Sequence, residues 1–358
     1  MKNVCFLIGD LNHSGGTERV TTLIANSLIE YGYQVSILSL SNGDRPFFKL
    51  DSNILSQALF SDKVSMRKNF FEAVKKIRKF ILDHKIESLI VVDSICCVFT
   101  VPACVGLKVK HICWEHFNQK VNLGSRFRDL GRWMAAKFCD EIITLTERDK
   151  FFWNERYHLK ASNKVIAIPN PSPYSRQNII PNMNSKTILA IGRLTHQKGF
   201  DLLIKAWSKV VVDLPEWKIK IVGIGEDESK LKQLVSFYGV TNSVFFEGQQ
   251  KNLDIYYKNA AFFCLSSRYE GFGMVLIEAL AYGLPILSYD CDCGPNEIIE
   301  NDKNGFLVSS ESVEGLASGI KKMAMMGTVE YMSKVQASFE KSDTFSVNNI
   351  IQKWLKVI

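Results

Sequence analysis

The stretch from 268 to 297 reads R-Y-E-G-F-G-M-V-L-I-E-A-L-A-Y-G-L-P-I-L-S-Y-D-C-D-C-G-P-N-E and is the part of the chain richest in residues suited to chemistry. Glu270 stands in a loop, and Gly271 and Gly273 let the backbone approach a ligand closely, ahead of a helix expected from about Met274. The N–H groups at the start of such a helix favour an anion. Glu278 lies about one turn into that helix, where its carboxylate can meet a sugar hydroxyl of a bound nucleotide. Two acidic residues at this spacing also occur as a solvated turn and a helix surface, so the reading needs independent support.

A second constellation supplies it. T-I-L-A-I-G-R-L-T-H-Q-K-G-F-D-L-L-I-K-A-W (187–207) reads as a buried strand, a glycine turn and an amphipathic helix, with Arg193 and Lys198 in the turn. A guanidinium fork and a mobile ammonium together suit a diphosphate. A helix start disfavours cations, so their presence there points to a ligand. Gly223 and Gly225 close the strand I-K-I-V-G-I-G, a weaker signal that an ordinary tight turn also produces. Near the N-terminus, Gly15 and Gly16 separate a short apolar strand from a helix with Val20, Leu23, Ile24 and Leu28 on one face, leaving room for a phosphate or sugar.

With these residues assembled, the chain resembles a family 4 retaining glycosyltransferase of the GT-B architecture over essentially its whole length. The resemblance runs from Gly15-Gly16-x-Glu18-Arg19 through I-G-R-L and Lys198 to E-G-F-G-x-x-x-x-E and Gly294-Pro295-x-Glu297. It implies that Arg193 and Lys198 hold the donor diphosphate, with the turn at Gly15 and Gly16 closing on the donor phosphates and acceptor. Glu278 would bind the ribose, and Glu270 would orient the donor sugar and help stabilise the transition state. Gly271, Phe272, Gly273 and Gly225 would complete the nucleotide-sugar pocket. His116, in W-E-H-F-N, matches an acceptor-side histidine close to the reacting carbon; the plainer expectation is a histidine satisfied by local hydrogen bonds at a strand end. The donor implied is a UDP-hexose or UDP-N-acetylhexosamine, and the acceptor a glycan or lipid-linked glycan of bacterial lipopolysaccharide, capsule or a related polysaccharide.

The elements that must position these groups follow from periodicity. Apolar runs at 3–9, 34–40, 88–92, 110–113, 141–145, 164–168, 187–192, 218–223, 243–247, 261–265 and 285–289 alternate with helix-period segments, which predicts parallel sheets covered by helices. Residues 169–184 hold four prolines and several Asn and Ser and read as a linker. The fold class expected is α/β, two doubly wound Rossmann-like domains facing across a cleft, at 1–172 and 173–344. By resemblance the last helix, about 345–358, packs back on the first domain.

Length and composition narrow the function. At 358 residues and 46% hydrophobic, the chain is long enough for two cores. The nine cysteines lack a C-x-x-C framework and read as reduced and buried; Cys291-x-Cys293 has no histidine nearby, and no metal site is expected. No cofactor is expected either, the nucleotide-sugar being a co-substrate. No cleavable signal is read at the start, and 88–107, interrupted by Asp93 and Pro102, reads as a buried strand, loop and core helix rather than a membrane span.

Residues 1–176 carry 25 Lys and Arg against 17 Asp and Glu, whereas 177–358 carry 19 against 20. The basic amphipathic segment 63–85, with Phe70, Val74, Ile77 and Ile81 beside Lys75, Lys76, Arg78 and Lys79, suits an anionic membrane surface or simply a sheet. A second basic stretch, 125–138, carries Phe127 and Trp133 and is a candidate border of the acceptor site. The location expected is cytoplasmic, with peripheral attachment to the inner face of the plasma membrane as an added expectation, and no nucleic acid partner. The one D-x-D string, Asp290-Cys291-Asp292, follows a late strand and does not suit a metal-diphosphate role, so leaving-group stabilisation falls to cations and helix starts. The alternatives are an epimerase or phosphorylase of similar architecture and a non-catalytic membrane-associated scaffold. A dinucleotide oxidoreductase fits poorly, since Gly223-x-Gly225 lacks the third glycine.

Overall fold

The computed structural model describes residues 2–43 and 45–358, and the chain divides into two compact units, Met1–Pro173 joined by Val347–Ile358, and Tyr174–Ser346.

In the first unit the elements run β1 (Asn3–Ile8), α1 (Gly16–Glu30), β2 (Gln34–Ser41), β3 (Leu55–Phe60), α2 (Phe70–Asp83), β4 (Ser88–Val92), α3 (Cys97–Cys104), β5 (Lys110–Trp114), α4 (Arg126–Phe138), β6 (Glu141–Thr144), α5 (Glu147–Tyr157) and β7 (Val165–Ala167). The strands form one parallel sheet in the order β3-β2-β1-β4-β5-β6-β7. Helices cover both faces of such a sheet, so its central strands are continuous apolar runs; β1 is buried from Val4 to Ile8 and β4 along its whole length. The chain reverses direction across the sheet between β1 and β4, where ligands enter doubly wound sheets. The C-terminal helix Val347–Trp354 packs on this unit, with Trp354 edge-on to Trp114 at 4.8 Å and the Lys110 ammonium donating to the Val357 carbonyl at 2.5 Å.

The second unit repeats the plan with β8 (Thr187–Ile191), α6 (Phe200–Ser208), β9 (Lys218–Val222), α7 (Glu228–Phe237), β10 (Val244–Gly248), α8 (Asp254–Lys258), β11 (Phe262–Leu265), α9 (Met274–Ala281), β12 (Ile286–Asp290), α10 (Pro295–Ile298), β13 (Gly305–Ser309), α11 (Val313–Ala324) and α12 (Thr328–Asp343). Its parallel order is β10-β9-β8-β11-β12-β13, reversing between β8 and β11. The core gathers Ile188, Leu203, Trp207, Ile221, Phe262, Leu287 and Ile320 around this sheet.

Two strands, β3 and β13, escape the sequence reading. β3 is an edge strand whose apolar and polar residues mix, Leu55 being exposed and Leu59 buried, and β13 is a five-residue run entered from a turn. The tempting apolar stretch 88–107 folds as β4, a short 3₁₀ turn and α3, and among the described residues no helix is long and apolar enough to cross a membrane.

Candidate functional site

In the second unit the loops after β8 and β11 leave neighbouring strands at the point where the sheet reverses, and they carry the residues the sequence singles out. Lys198 donates to Glu270 Oε1 at 2.6 Å, and the Ser267 hydroxyl donates to the same oxygen at 2.7 Å. Glu270 is therefore no solvated turn residue: its side chain is 7% exposed and that of Lys198 16%. The stem of Lys198 runs over Gly192, where a Cβ would stand 3.2 Å from Lys198 Cγ and Cδ. Gly199, at φ +61°, brings the two loops together, since a side chain there would collide with the Ser266 carbonyl.

Further bonds stitch the loops. Arg268 forks onto Asp201 with two 2.8 Å bonds and also donates to the His196 carbonyl at 2.8 Å; Gln197 Nε2 donates to the Tyr269 carbonyl at 3.1 Å. Bidentate pairing of this kind fixes direction as well as position. Arg268 thus holds the frame in which Lys198 and Glu270 meet, a role that no motif around it signals. Arg193, by contrast, is exposed and forms no ion pair among the described residues, so its guanidinium is available to an anion.

Gly223 and Gly225 are more than a tight turn. A Cβ at Gly223 would strike the Gly192 carbonyl and one at Gly225 the Leu194 carbonyl, so these glycines let the loop after β9 lie against the Arg193 segment. Gly273 takes φ +92° and caps α9 without a side chain, while Gly271 is half-buried just before it. Phe272, between the two glycines, turns its ring inward. It is 3% exposed and packs against Phe345, because burying its ring is worth more than leaving it in the loop surface. Glu278 lies one turn into α9, buried, and accepts a hydrogen bond from the Tyr257 hydroxyl at 2.8 Å; Tyr257 stacks on Tyr282 at 4.9 Å. The carboxylate is held by an aromatic platform instead of pointing freely outward.

The first unit places its groups at the corresponding end of its own sheet. Gly15 caps α1 and Gly16 begins it, yet the room left by Gly15 is filled by the Glu18 carboxylate. Burial raises the Glu18 carboxyl above its ordinary range, partly offset by its own backbone N–H and by His13. His116 follows β5, with its ring 4.4 Å from Trp114. Its Nε2 is buried without a hydrogen-bond partner among the described residues, so it is not the locally satisfied histidine of the plainer expectation. Burial pushes its pKa down to about 4, against the upward pull of the Glu115 carboxylate, and the ring is neutral near pH 7.

Behind His116 lies a network that the sequence does not reveal. Glu115 and Arg132, both 0% exposed, pair at 2.8 Å, and Ser94 donates to Glu115 at 2.6 Å. The other Glu115 oxygen accepts the N–H groups of His116 at 3.1 Å and Phe117 at 3.0 Å. Arg132 also donates to the Gln119 and Asn118 carbonyls, and Arg128 pairs with Asp93 at 2.5 Å. Burial raises Glu115, but Arg132 and Arg128 pull it below the usual carboxylate range; burial and Glu115 push Asp93 up to about 6. The basic stretch 125–138 thus turns Arg128 and Arg132 inward, while Trp133 stays exposed on α4.

Among the described residues no metal-capable set forms around Cys291 and Cys293, and all nine cysteines are free thiols. A cavity of about 740 Å³ lined by Asn3, Gln34, Asn53 and His84 opens at the amino end of the first sheet, away from every group above.

Comparison with known proteins bears on the family. The family model described as glycosyl transferases group 1 matches residues 173–335, and that described as glycosyltransferase family 4 matches residues 14–175. An uncharacterized glycosyltransferase of Haemophilus influenzae is 35% identical over 358 residues, covering 100% of both chains. The Campylobacter jejuni GalNAc-alpha-(1->4)-GalNAc-alpha-(1->3)-diNAcBac-PP-undecaprenol alpha-1,4-N-acetyl-D-galactosaminyltransferase is 30% identical over 370 residues, covering 100% of this chain and 98% of its own. The crystal structure of Alr3699/HepE of Anabaena with UDP and glucose superposes with a TM-score of 0.79 at 16% identity, over 98% of each chain. By its matched family models and its full-length relatives, the chain belongs to glycosyltransferase family 4 and is a glycosyltransferase of GT-B fold.

Proposed function

We propose that the protein moves a hexosyl or N-acetylhexosaminyl group from a UDP-sugar to a glycan or lipid-linked acceptor of a bacterial surface polysaccharide, with retention at the anomeric carbon and without a metal in the reaction. The observation that carries this reading is the Lys198–Glu270 pair at the reversal point of the second sheet, with the unpaired Arg193 beside it. When the donor bond breaks, negative charge grows on the diphosphate, and fixed cations stabilise it in place of a divalent ion. Glu270, released in part from Lys198 by the incoming phosphate, orients the donor sugar; Glu278 takes the ribose. His116, neutral, offers Nε2 to the acceptor side. UDP and glucose in the Anabaena structure and the undecaprenol-linked substrate in the Campylobacter name support the choice of donor and acceptor.

The proposed meeting with an anionic membrane surface rests on fewer charges than the sequence suggests. In α2, Lys76 donates to the Leu59 carbonyl, Arg78 to those of Ala103 and Val105, and Lys79 pairs with Asp83. Lys63, Lys68 and Lys75 remain exposed beside Phe71, which is 85% exposed and suited to insertion at an interface.

Thermal shift against UDP-Glc, UDP-Gal, UDP-GlcNAc and UDP-GalNAc should select a donor, because a ligand of the folded state raises apparent stability. The selected donor with a lipid-linked acceptor should release UDP in EDTA and give a product with the donor's anomeric configuration by NMR. An inverted product, or activity lost in EDTA and restored by Mg²⁺ or Mn²⁺, refutes the mechanism. Donor turnover without an acceptor would indicate an epimerase or phosphorylase. Co-sedimentation with anionic vesicles should fall with salt and with Lys63, Lys68 and Lys75 changed to Ser; equal binding to neutral vesicles removes the membrane from the account.

A further inference from the structure

Successive residues of a strand point to opposite faces, so His111 and Cys113 share one face of β5 while Lys110, Ile112 and Trp114 share the other. The second face meets the C-terminal helix through Trp114 and Lys110. On the first, His111 and Cys113 meet Cys97 at the start of α3 and Cys139 just past the end of α4, and all four residues are buried. The three ligand atoms offered by Cys97, His111 and Cys139 lie within 4.8 Å of one another. Cys97 Sγ stands 3.9 Å from Cys139 Sγ, which is 3.6 Å from His111 Nδ1.

We infer that these residues form a structural zinc site, with Cys97, His111 and Cys139 as ligands and Cys113 completing the tetrahedron. Zinc bonded to sulfur at about 2.3 Å and to nitrogen at about 2.0 Å holds tetrahedral neighbours about 3.5–3.8 Å apart, close to the separations of Cys139 from its two partners. The second nitrogen of the imidazole is already engaged. His111 Nε2 lies 2.9 Å from Thr100 Oγ1, which fixes the ring; Cys139 Sγ stands 3.6 Å from Nδ1 and 3.9 Å from Nε2, so Nδ1 is the nitrogen left for a metal, and a hydrogen bond at the other nitrogen is usual for metal-bound histidines. Cys113, on the same face of β5 as His111, interacts with the Cys97 thiol, and binding would draw it in as the fourth ligand.

Buried thiols alone pack well as small hydrophobes, but an imidazole at their centre is not what a purely apolar core requires. Sulfur and imidazole select zinc over magnesium or calcium. With the dication bound, three thiolates and a neutral imidazole leave a site of net charge −1, and the protons these groups held pass to solvent. The Lys164 ammonium, which donates to the Ala136 carbonyl at 3.0 Å three residues before Cys139, stands near enough to offset it. The ion would tie α3, β5 and the end of α4 together. That clip sits on the strand that leads into Glu115 and His116, which follow β5, and its effect is on folding and not on bond cleavage.

The test is a titration of the full-length, reduced and metal-free protein with Co²⁺ and then Zn²⁺. The expected result is about one Co²⁺ per chain, with thiolate-to-cobalt charge transfer and the visible bands of a tetrahedral site, displaced by zinc. Zinc should also raise the melting temperature, whereas Mg²⁺ should not. Cys97→Ser and Cys139→Ser should lose the charge-transfer band, and Cys291→Ser should keep it. Should the first two variants fail to fold, X-ray absorption at the zinc edge of the wild-type protein decides: a shell of two or three sulfurs with nitrogen supports the site, and a shell of oxygen and nitrogen alone overturns it. Folded wild-type protein without the charge-transfer band, a band surviving in Cys139→Ser, or a Cys97–Cys139 disulfide in the protein purified from the reducing cytosol would each also overturn it.

Discussion

Glu115 with Arg132 in the first unit and Glu270 with Lys198 in the second are both carboxylate–cation pairs at the carboxyl end of a parallel sheet, at 2.8 and 2.6 Å. Their surroundings differ. Glu115 and Arg132 are wholly buried, and both carboxylate oxygens and the guanidinium are spent on Ser94, two backbone N–H groups and two carbonyls. Such a pair locks a loop, because breaking it strands a charge in low dielectric. Glu270 is buried too, but Lys198 keeps partial access to solvent and reaches it across Gly192. An ammonium held by a single carboxylate oxygen can turn to an incoming phosphate at small cost. The same chemistry therefore builds a frame in one unit and, in the proposed mechanism, a working pair in the other.

The comparison breaks or holds first at Arg132. Arg132→Leu should cost about 3–5 kcal/mol of stability, since Glu115 is left buried without its partner. Urea unfolding reads this directly. A loss under about 1 kcal/mol, within the range of an exposed pair, would show that Glu115 is not locked.

At the working pair the expectation reverses. Lys198→Ala and Glu270→Gln should each lower kcat about 100-fold or more, the loss typical of a donor aimed at developing charge, with the melting temperature nearly unchanged. Stability losses as large as those of Arg132→Leu would make this pair a second lock and remove the distinction.

Smaller effects sharpen the donor side. Arg193→Ala should lower kcat/KM by roughly 10- to 100-fold, one charge-assisted hydrogen bond, without touching the fold. Glu278→Ala should weaken UDP binding about tenfold and lower stability slightly, because the Tyr257 hydroxyl loses its acceptor. Calorimetric titration of UDP separates the two: an unchanged dissociation constant in Glu278→Ala would take the ribose away from this carboxylate.

The last effect concerns pH. Burial raises Asp149 to about 7 although the Gln119 N–H donates to it at 2.8 Å, so between its ordinary value of 3.8 and about 7 the folded state keeps a proton that the unfolded state has released. Stability from this group is full below its unfolded pKa and is lost as pH rises through about 7. His116, held down to about 4, has the opposite slope below its ordinary value of 6.5, and comparison with an Asp149 variant cancels it. Between about pH 5 and 8 the wild type should lose on the order of 2 kcal/mol more than Asp149→Asn, which keeps an acceptor for Gln119. Parallel pH profiles would place the proton elsewhere.

What the sequence discloses follows the same divide. Lys198, Glu270 and Glu278 sit in stretches punctuated by glycine, where the loops must pass close together, and Gly192, Gly199, Gly223 and Gly225 mark that closeness in the sequence itself. Continuous apolar runs likewise disclose the central strands, because parallel sheets are buried on both faces. The Glu115 network leaves no such mark. Its members come from several elements, with Ser94 21 residues from Glu115 and Asp93 35 residues from Arg128, and Arg128 and Arg132 look like any basic helix surface until packing turns them inward. The inward turn of Phe272 is hidden for the same reason, since its partner Phe345 lies far along the chain.

Hydrogen exchange of the wild-type protein with and without saturating UDP tests the central claim most directly. The account predicts slowed exchange concentrated in the second unit, at 192–199 and 270–278, with the segment 115–119 already protected without ligand by its bonds to Glu115, Arg132 and Asp149. Protection confined to the first unit, or no change at 192–199 and 270–278 when UDP demonstrably binds, would contradict it.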